Sequence, residues 1–321
     1  MLPSGVEGVL FPNLLGYNWC KMRVLVLGAK GNLGTELLEV LADYEVVAKG
    51  HEELDVTDFS RLEGFVRDLR PEALINCAAW TDVDGCESDP RRAFLVNAIG
   101  ARNVALSARK VGAKLVYIST DYVFDGTKEG PYVEFDPPRP INAYGMSKLL
   151  GERFVKEQHP ESFILRTAWL YGRRGKNFPR AILSLLQQRD ELRVVNDQKG
   201  TPTWARDLAR QIKDLINTEA YGLYHASSEG SCTWFEFARE LLGLLGNKEE
   251  EGADGTVVFR IKGKAVRLKP VKTEEFPRPA KRPRNSVLEN FLLKVQGLNV
   301  MPDWRKSLGR FVEEIKEGGF L

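Results

Sequence analysis

Apolar and polar positions alternate in blocks along the first half of the chain. Val24–Leu27 is a continuous apolar run of the kind a strand buried on both faces requires. Leu33–Leu41 follows with helical spacing, Val46–Ala48 is apolar again, and Asp58–Leu69 returns to the helical period before Arg70-Pro71 stops it. The same rhythm predicts strands at Ala73–Cys77, Lys114–Ser119 and Phe163–Arg166. It predicts helices over Arg91–Lys110 and Asn142–Gln158. Strands alternating with helices imply a parallel sheet covered on both faces, a Rossmann-type doubly wound α/β fold.

Beyond about residue 167 the rhythm loosens. Helical patterns at Phe178–Gln188, Trp204–Ile216 and Thr233–Leu245 are separated by short strands at Arg193–Val195 and Leu223–His225. Thr256–Ile261 and Ala265–Leu268 predict a hairpin about Lys262-Gly263-Lys264, and a last helix starts at Trp304. The expected organisation is an extension over 1–21, a nucleotide-binding domain over 22–167 and a smaller C-terminal α/β substrate domain over 168–321. Part of that last span, about 203–226, is expected to return to the first domain. Met22, directly before the first strand, is expected to be the native start, or residues 1–21 a weakly structured arm.

Composition narrows the function. The 321 residues carry 46 Lys+Arg against 44 Asp+Glu, a formal net charge of +2. A chain so balanced lacks the basic excess of a nucleic-acid binder. No run approaches the ~18 apolar residues a membrane span needs. Four scattered cysteines, without metal-ligand spacing, predict a reducing cytoplasm and no metal site.

Two constellations carry chemistry. Gly28-Ala29-Lys30-Gly31-Asn32-Leu33-Gly34 joins a predicted strand to a predicted helix. Glycines there let the backbone turn tightly and approach a pyrophosphate, which helix N–H groups and the positive dipole end would hold. Where an NAD enzyme usually places an acid, at the end of the second strand, the sequence reads Ala48-Lys49-Gly50-His51. Lys49 without a neighbouring carboxylate favours NADPH, with NADH also admissible.

Tyr144 and Lys148 stand four apart on a predicted helix and so share a face. A cation beside a phenol is expected to lower the Tyr144 pKa and make it a general acid. Thr120 ends the fourth predicted strand, at the sheet edge where ligands bind. A second Tyr-x-x-x-Lys copy, Tyr17 to Lys21, has no such setting.

Together these segments resemble the dTDP-4-dehydrorhamnose reductases, a family of extended short-chain dehydrogenases/reductases. The resemblance rests on LGAKGNLG (27–34), INCAAWTDVDGCE (75–87), STDYVFDG (119–126), NAYGMSK (142–148) and VVNDQKGTPT (194–203), and runs from Met22 to near the C-terminus. It implies reduction of the C4 keto group of dTDP-4-dehydro-β-L-rhamnose, giving a precursor of surface polysaccharide. It assigns Gly31, Asn32 and Leu33 to the pyrophosphate, Asp55 and Val56 to the adenine, and Ala78, Ala79 and Trp80 to the cofactor pocket. Thr81, Val83, Thr120 and Asp121 would face the sugar and Trp169 would stack on the nucleotide, with Asn177 and Gln198 beside it. Arg278, Lys281, Arg282 and Arg284 are candidates for the diphosphate. The family also suggests a homodimer. Two other readings stay open: a non-catalytic subunit like the regulatory subunit of methionine adenosyltransferase, and a reductase or epimerase for another nucleotide sugar.

Overall fold

A computed structural model describes residues 21–318. The readings placed on an N-terminal arm, apart from Lys21, and on Tyr17 lie outside the described residues.

The strands are β1 (Arg23–Leu27), β2 (Glu45–Lys49), β3 (Ala73–Asn76), β4 (Lys114–Thr120), β5 (Ser162–Thr167), β6 (Leu170–Tyr171), β7 (Glu191–Val195), β8 (Lys199–Gly200), β9 (Thr203–Trp204), β10 (Gly222–His225), β11 (Cys232–Thr233), β12 (Asn247–Glu251), β13 (Val257–Ile261) and β14 (Lys264–Val271). The helices are α1 (Asn32–Val40), α2 (Phe59–Leu69), α3 (Val83–Ser88), α4 (Pro90–Phe94), α5 (Gly100–Val111), α6 (Ala143–Gln158), α7 (Phe178–Gln188), α8 (Ala205–Ile216), α9 (Trp234–Leu245), α10 (Phe291–Val295) and α11 (Trp304–Glu317).

Six parallel strands form the main sheet in the order β10-β5-β4-β3-β1-β2. Residues from α1 and α8 pack on one face, through Leu33, Leu37, Leu208 and Ile212. Residues from α2, α5 and α6 cover the other, through Leu62, Val66, Val104, Ala108 and Val155. This is the doubly wound arrangement, and the uninterrupted burial of Val24–Leu27 explains why that strand carries no polar alternation. A second sheet, β12-β13-β14-β7, is covered by α9 and closes a separate core with Phe237, Leu241, Phe259 and Leu268. The hairpin of β13 and β14 forms at the predicted place. α8 and β10 lie with the main sheet although they follow β7 in sequence.

One predicted element differs. The expected helix over Arg91–Lys110 is divided by a π-helical turn at Leu95–Ile99 between α4 and α5. The turn buries Asn97, whose side chain accepts from the Trp80 N–H at 2.8 Å and donates to Ser147 Oγ at 3.0 Å. Asn97 thereby links the turn to two neighbouring segments, as π-helical turns at special sites commonly do.

Local capping sets the start of α6 against the carboxyl end of β4. Asn142 caps α6 by accepting from Gly145 N at 2.8 Å. A Cβ at Gly145 would lie 2.1 Å from the Tyr122 carbonyl oxygen, so only glycine lets α6 press against the end of β4. Tyr144 is thereby brought to the strand end that carries Thr120.

Candidate active site

A cavity of about 460 Å³ opens at the carboxyl edge of the main sheet. The glycine loop forms one wall, with Gly28, Gly31, Asn32, Leu33 and Gly34 all lining it. Gly28 has φ +72°, and a Cβ there would fall 2.7 Å from Ala78 N. A Cβ at Gly34 would fall 2.5 Å from the Gly28 oxygen, so the turn admits no side chain. Gly31 caps α1 without a side-chain hydrogen bond, leaving first-turn N–H groups for an anion.

The opposite wall holds Thr120, Asp121, Tyr144 and Lys148. Thr120 Oγ1 donates to Asp121 Oδ1 at 3.0 Å and also hydrogen-bonds the Tyr144 phenol. Burial pushes the Tyr144 pKa above the ordinary value for a phenol, and Asp121 adds to the rise while Thr120 opposes it. Contrary to expectation, Lys148 is not among the groups that shift it. The Lys148 ammonium lies 4.1 Å from the centre of the Tyr117 ring, and its own pKa is pulled down to about 7 by burial, against the nearby charge of Glu152. Desolvation therefore outweighs the charge effects at both groups. Tyr144 holds its proton at neutral pH, which is the state a proton donor needs. Asp121 is likewise shifted up, to about 7, because it is buried, against hydrogen bonds from Ser286 and Thr120 that lower it.

A second cavity, of about 300 Å³, continues past the glycine loop and is lined by Val56, Ala78, Ala79, Trp80 and Arg92. The Arg92 guanidinium lies 4.6 Å over the Trp80 ring and stiffens that wall. Asp55 does not line it; its Oδ1 accepts from Thr57 N and Oγ1 at 2.8 and 2.9 Å. Lys49 does not line it either, since its ammonium sits 5.2 Å over the Phe65 ring. Nor is the region free of carboxylates. Glu52 and Glu53 lie 3.4 and 3.9 Å from the Lys30 ammonium, a pairing across 22 or 23 residues that local sequence does not reveal.

A third cavity, about 1060 Å³ and larger than these two, holds Gln198, Arg278, Lys281 and Arg284. Gln198 donates to Thr273 Oγ1 at 3.0 Å. Arg282 reaches the same cavity but is committed to Asp84, with bonds of 2.6 and 2.9 Å. Thr81 and Val83 line the first cavity. Asn177 caps α7 and donates to Asn32 Oδ1 at 3.0 Å, so it braces the glycine loop. Trp169 lines the first cavity but stacks on Trp234, with ring centres 3.4 Å apart and planes at 6°. Trp234, Glu152, Asn97 and Tyr122 do not stand out in the sequence. Only the eight-residue step from Tyr144 to Glu152 on one helix could have suggested any of them.

Comparison with known proteins places the chain in a family. A family model described as the RmlD substrate binding domain matches residues 22–317. A dTDP-4-dehydrorhamnose reductase of Burkholderia thailandensis is 40% identical over 304 residues, covering 92% of this chain and 99% of that protein. A dTDP-4-keto-6-deoxy-D-glucose reductase of Streptomyces niveus is 40% identical over 289 residues, covering 89% of this chain and 95% of that protein. The crystal structure of a dTDP-4-dehydrorhamnose reductase from Bacillus anthracis in complex with NADP superposes with a TM-score of 0.84 at 44% identity. It covers 92% of this chain and 99% of that one.

Proposed function

The chain belongs to the RmlD family of dTDP-4-dehydrorhamnose reductases, and on that premise we propose that Thr120, Tyr144 and Lys148 carry its chemistry. It is a nicotinamide-dependent reductase of the C4 keto group of dTDP-4-dehydro-β-L-rhamnose, with NADPH as its cofactor. The non-catalytic alternative is set aside, because the relatives compared above are all named as reductases.

The observation that carries the mechanism is the shared cavity. It joins a helix start without a side-chain cap, a glycine cradle that a single Cβ would fill, and a half-buried phenol that keeps its proton. Gly31, Asn32, Leu33 and Gly34 would hold the pyrophosphate, while Val56, Ala78, Ala79 and Trp80 would enclose the adenosine. NADPH, when bound, supplies the hydride. Tyr144 gives its proton to the C4 oxygen as charge develops there, and Thr120 donates a hydrogen bond to the same oxygen. Lys148 places positive charge beneath the site, and Asp121, neutral below about pH 7, can return a hydrogen bond to Thr120. Arg278, Lys281 and Arg284 supply cations for the diphosphate. Among the described residues no helix is long and apolar enough to cross a membrane. Free Cys77, Cys86 and Cys232 suit a cytoplasmic location, and exposed Leu95, Ile99 and Met146 offer a face for a second copy.

The test is oxidation of NADPH by the enzyme with dTDP-4-dehydrorhamnose, run beside Tyr144→Phe and with dTDP-4-keto-6-deoxyglucose as a rival substrate. Removing the acid should lower turnover by about 100-fold or more with NADPH affinity unchanged. Near wild-type turnover in Tyr144→Phe would exclude this role, and preference for the rival would reassign the sugar.

A further inference from the structure

The dTDP reading assigns the nucleotide to Trp169, yet that ring is already closely packed. The β8 backbone presses on it: a Cβ at Gly200 would lie 2.3 Å from Trp169 Cε2. Trp234 covers one face, parallel and 3.4 Å away. A planar heteroaromatic base needs the same spacing and the same orientation.

We propose that Trp234 is an internal stand-in for the nucleobase, filling the stacking site on Trp169 until the base of the substrate displaces it. This rests on the nucleotide-sugar reading and names the residue that governs entry to its base site. Three observations decide which ring moves. Trp169 is wedged against Gly200, has φ +44° at the turn after β5, and its carbonyl accepts from Thr203 N at 3.3 Å. Trp234 is held by no hydrogen bond from its indole N–H among the described residues; its other ring neighbours are Phe178, tilted at 45° with ring centres 4.7 Å apart, and Phe237, with ring centres 6.5 Å apart. Its backbone is fixed, because Thr233 and Glu236 close a capping box, with Glu236 N to Thr233 Oγ1 at 3.1 Å. Displacement is therefore a change of side-chain torsion alone. There is room for it: among the described residues, Trp234 is the one that lines both the cavity of Tyr144 and the large basic cavity. A sugar at Tyr144 and a diphosphate near Arg284 would therefore lie in two cavities that share this ring.

The probe is dTDP without the sugar, titrated by calorimetry and by circular dichroism of the exciton couplet that parallel indoles produce. The couplet should vanish at saturation. Trp234→Ala should bind dTDP about three- to tenfold more tightly, because no bound state has to be vacated first. Trp169→Ala should bind it more weakly. Trp234→Phe, which keeps packing on Phe178, should fall between wild type and Trp234→Ala. A couplet that persists in the dTDP complex, or weaker binding by both Trp234 variants, overturns the stand-in while leaving the nucleotide-sugar reading intact. Absence of any dTDP binding by the folded wild type overturns both.

Discussion

Arg166 grips Glu152 at two points, Nε to Oε1 at 2.9 Å and Nη2 to Oε2 at 2.7 Å, with both side chains almost wholly buried. Ser119 Oγ adds a third bond to Oε1 at 2.5 Å. The pair therefore ties β5 to α6, and through Ser119 to the strand that ends in Thr120. Glu152 is also the charge that most opposes the desolvation of Lys148, one turn earlier on α6.

Two losses are expected when Glu152 is replaced by Gln. A buried Arg166 without its carboxylate should cost about 3–5 kcal/mol of folding stability. Lys148 would also lose the charge that holds its pKa up, so the limb of the pH–rate profile that it governs should move to lower pH. The double replacement Glu152→Leu with Arg166→Met should recover most of the stability, since apolar residues fill such sites well. It should not restore the pH profile. Urea denaturation and pH–rate measurements on both variants separate the effects; an unmoved profile in Glu152→Gln would limit the pair to a structural role.

Asp121 gives a pH dependence of opposite origin. Burial lifts its pKa from the ordinary 3.8 to about 7, so the folded state holds a proton that the unfolded chain would release. Its stabilising contribution is complete below the unfolded value and is lost as pH rises from about 4 through 7. Above pH 7 the buried carboxylate costs on the order of 4 kcal/mol, at about 1.36 kcal/mol for each pH unit that separates the folded and unfolded values. Asp121→Asn keeps the shape without the titration. It should be stabilised relative to wild type at pH 8.5 and show little gain at pH 4. Equal stability differences at the two pH values would mean that Asp121 does not titrate between them.

What sequence made legible followed from local physics. Strands buried on both faces read as apolar runs, and Asn142 marked the start of α6 as a side-chain cap does. The four-residue step from Tyr144 to Lys148 put both on one cavity wall. Long-range features left no such trace. Arg166 and Glu152 are an ordinary cation and anion until β5 is laid beside α6. Trp234 reads as a core residue until its stack on Trp169, 65 positions earlier, is seen. β12 is Asn-Lys-Glu-Glu-Glu, an exposed edge strand with no apolar face, so only its pairing with β13 reveals it. Lys49 ends β2 as the pattern predicts, but its long side chain turns to Phe65 and not to the cavity of Val56 and Trp80.

Glu36 ties the site to the scaffold behind it. It lies on α1, two residues after Gly34, and is fully buried. Its carboxylate is shared by Arg173 Nε at 3.1 Å and Arg206 Nε at 2.8 Å, and both guanidiniums continue to Glu39 and to Glu314 on α11. The glycine-loop helix is thus clamped to α8, to the segment after β6 and to the C-terminal helix by one ionic network. Glu36→Gln leaves two cations facing an amide. Because the arginines are partly exposed and keep Glu39 and Glu314, the loss should be smaller than for a fully buried pair, about 2 kcal/mol. The functional consequence should exceed the structural one. α1 presents its first-turn N–H groups to the pyrophosphate, and a helix free to shift by a fraction of an ångström presents them less well. Glu36→Gln should therefore raise the dissociation constant for NADPH by about tenfold at a temperature where the variant is fully folded. Calorimetric titration of NADPH into wild type and variant measures this directly. Unchanged affinity alongside lowered stability would show that the network holds the fold together without aligning the cofactor loop.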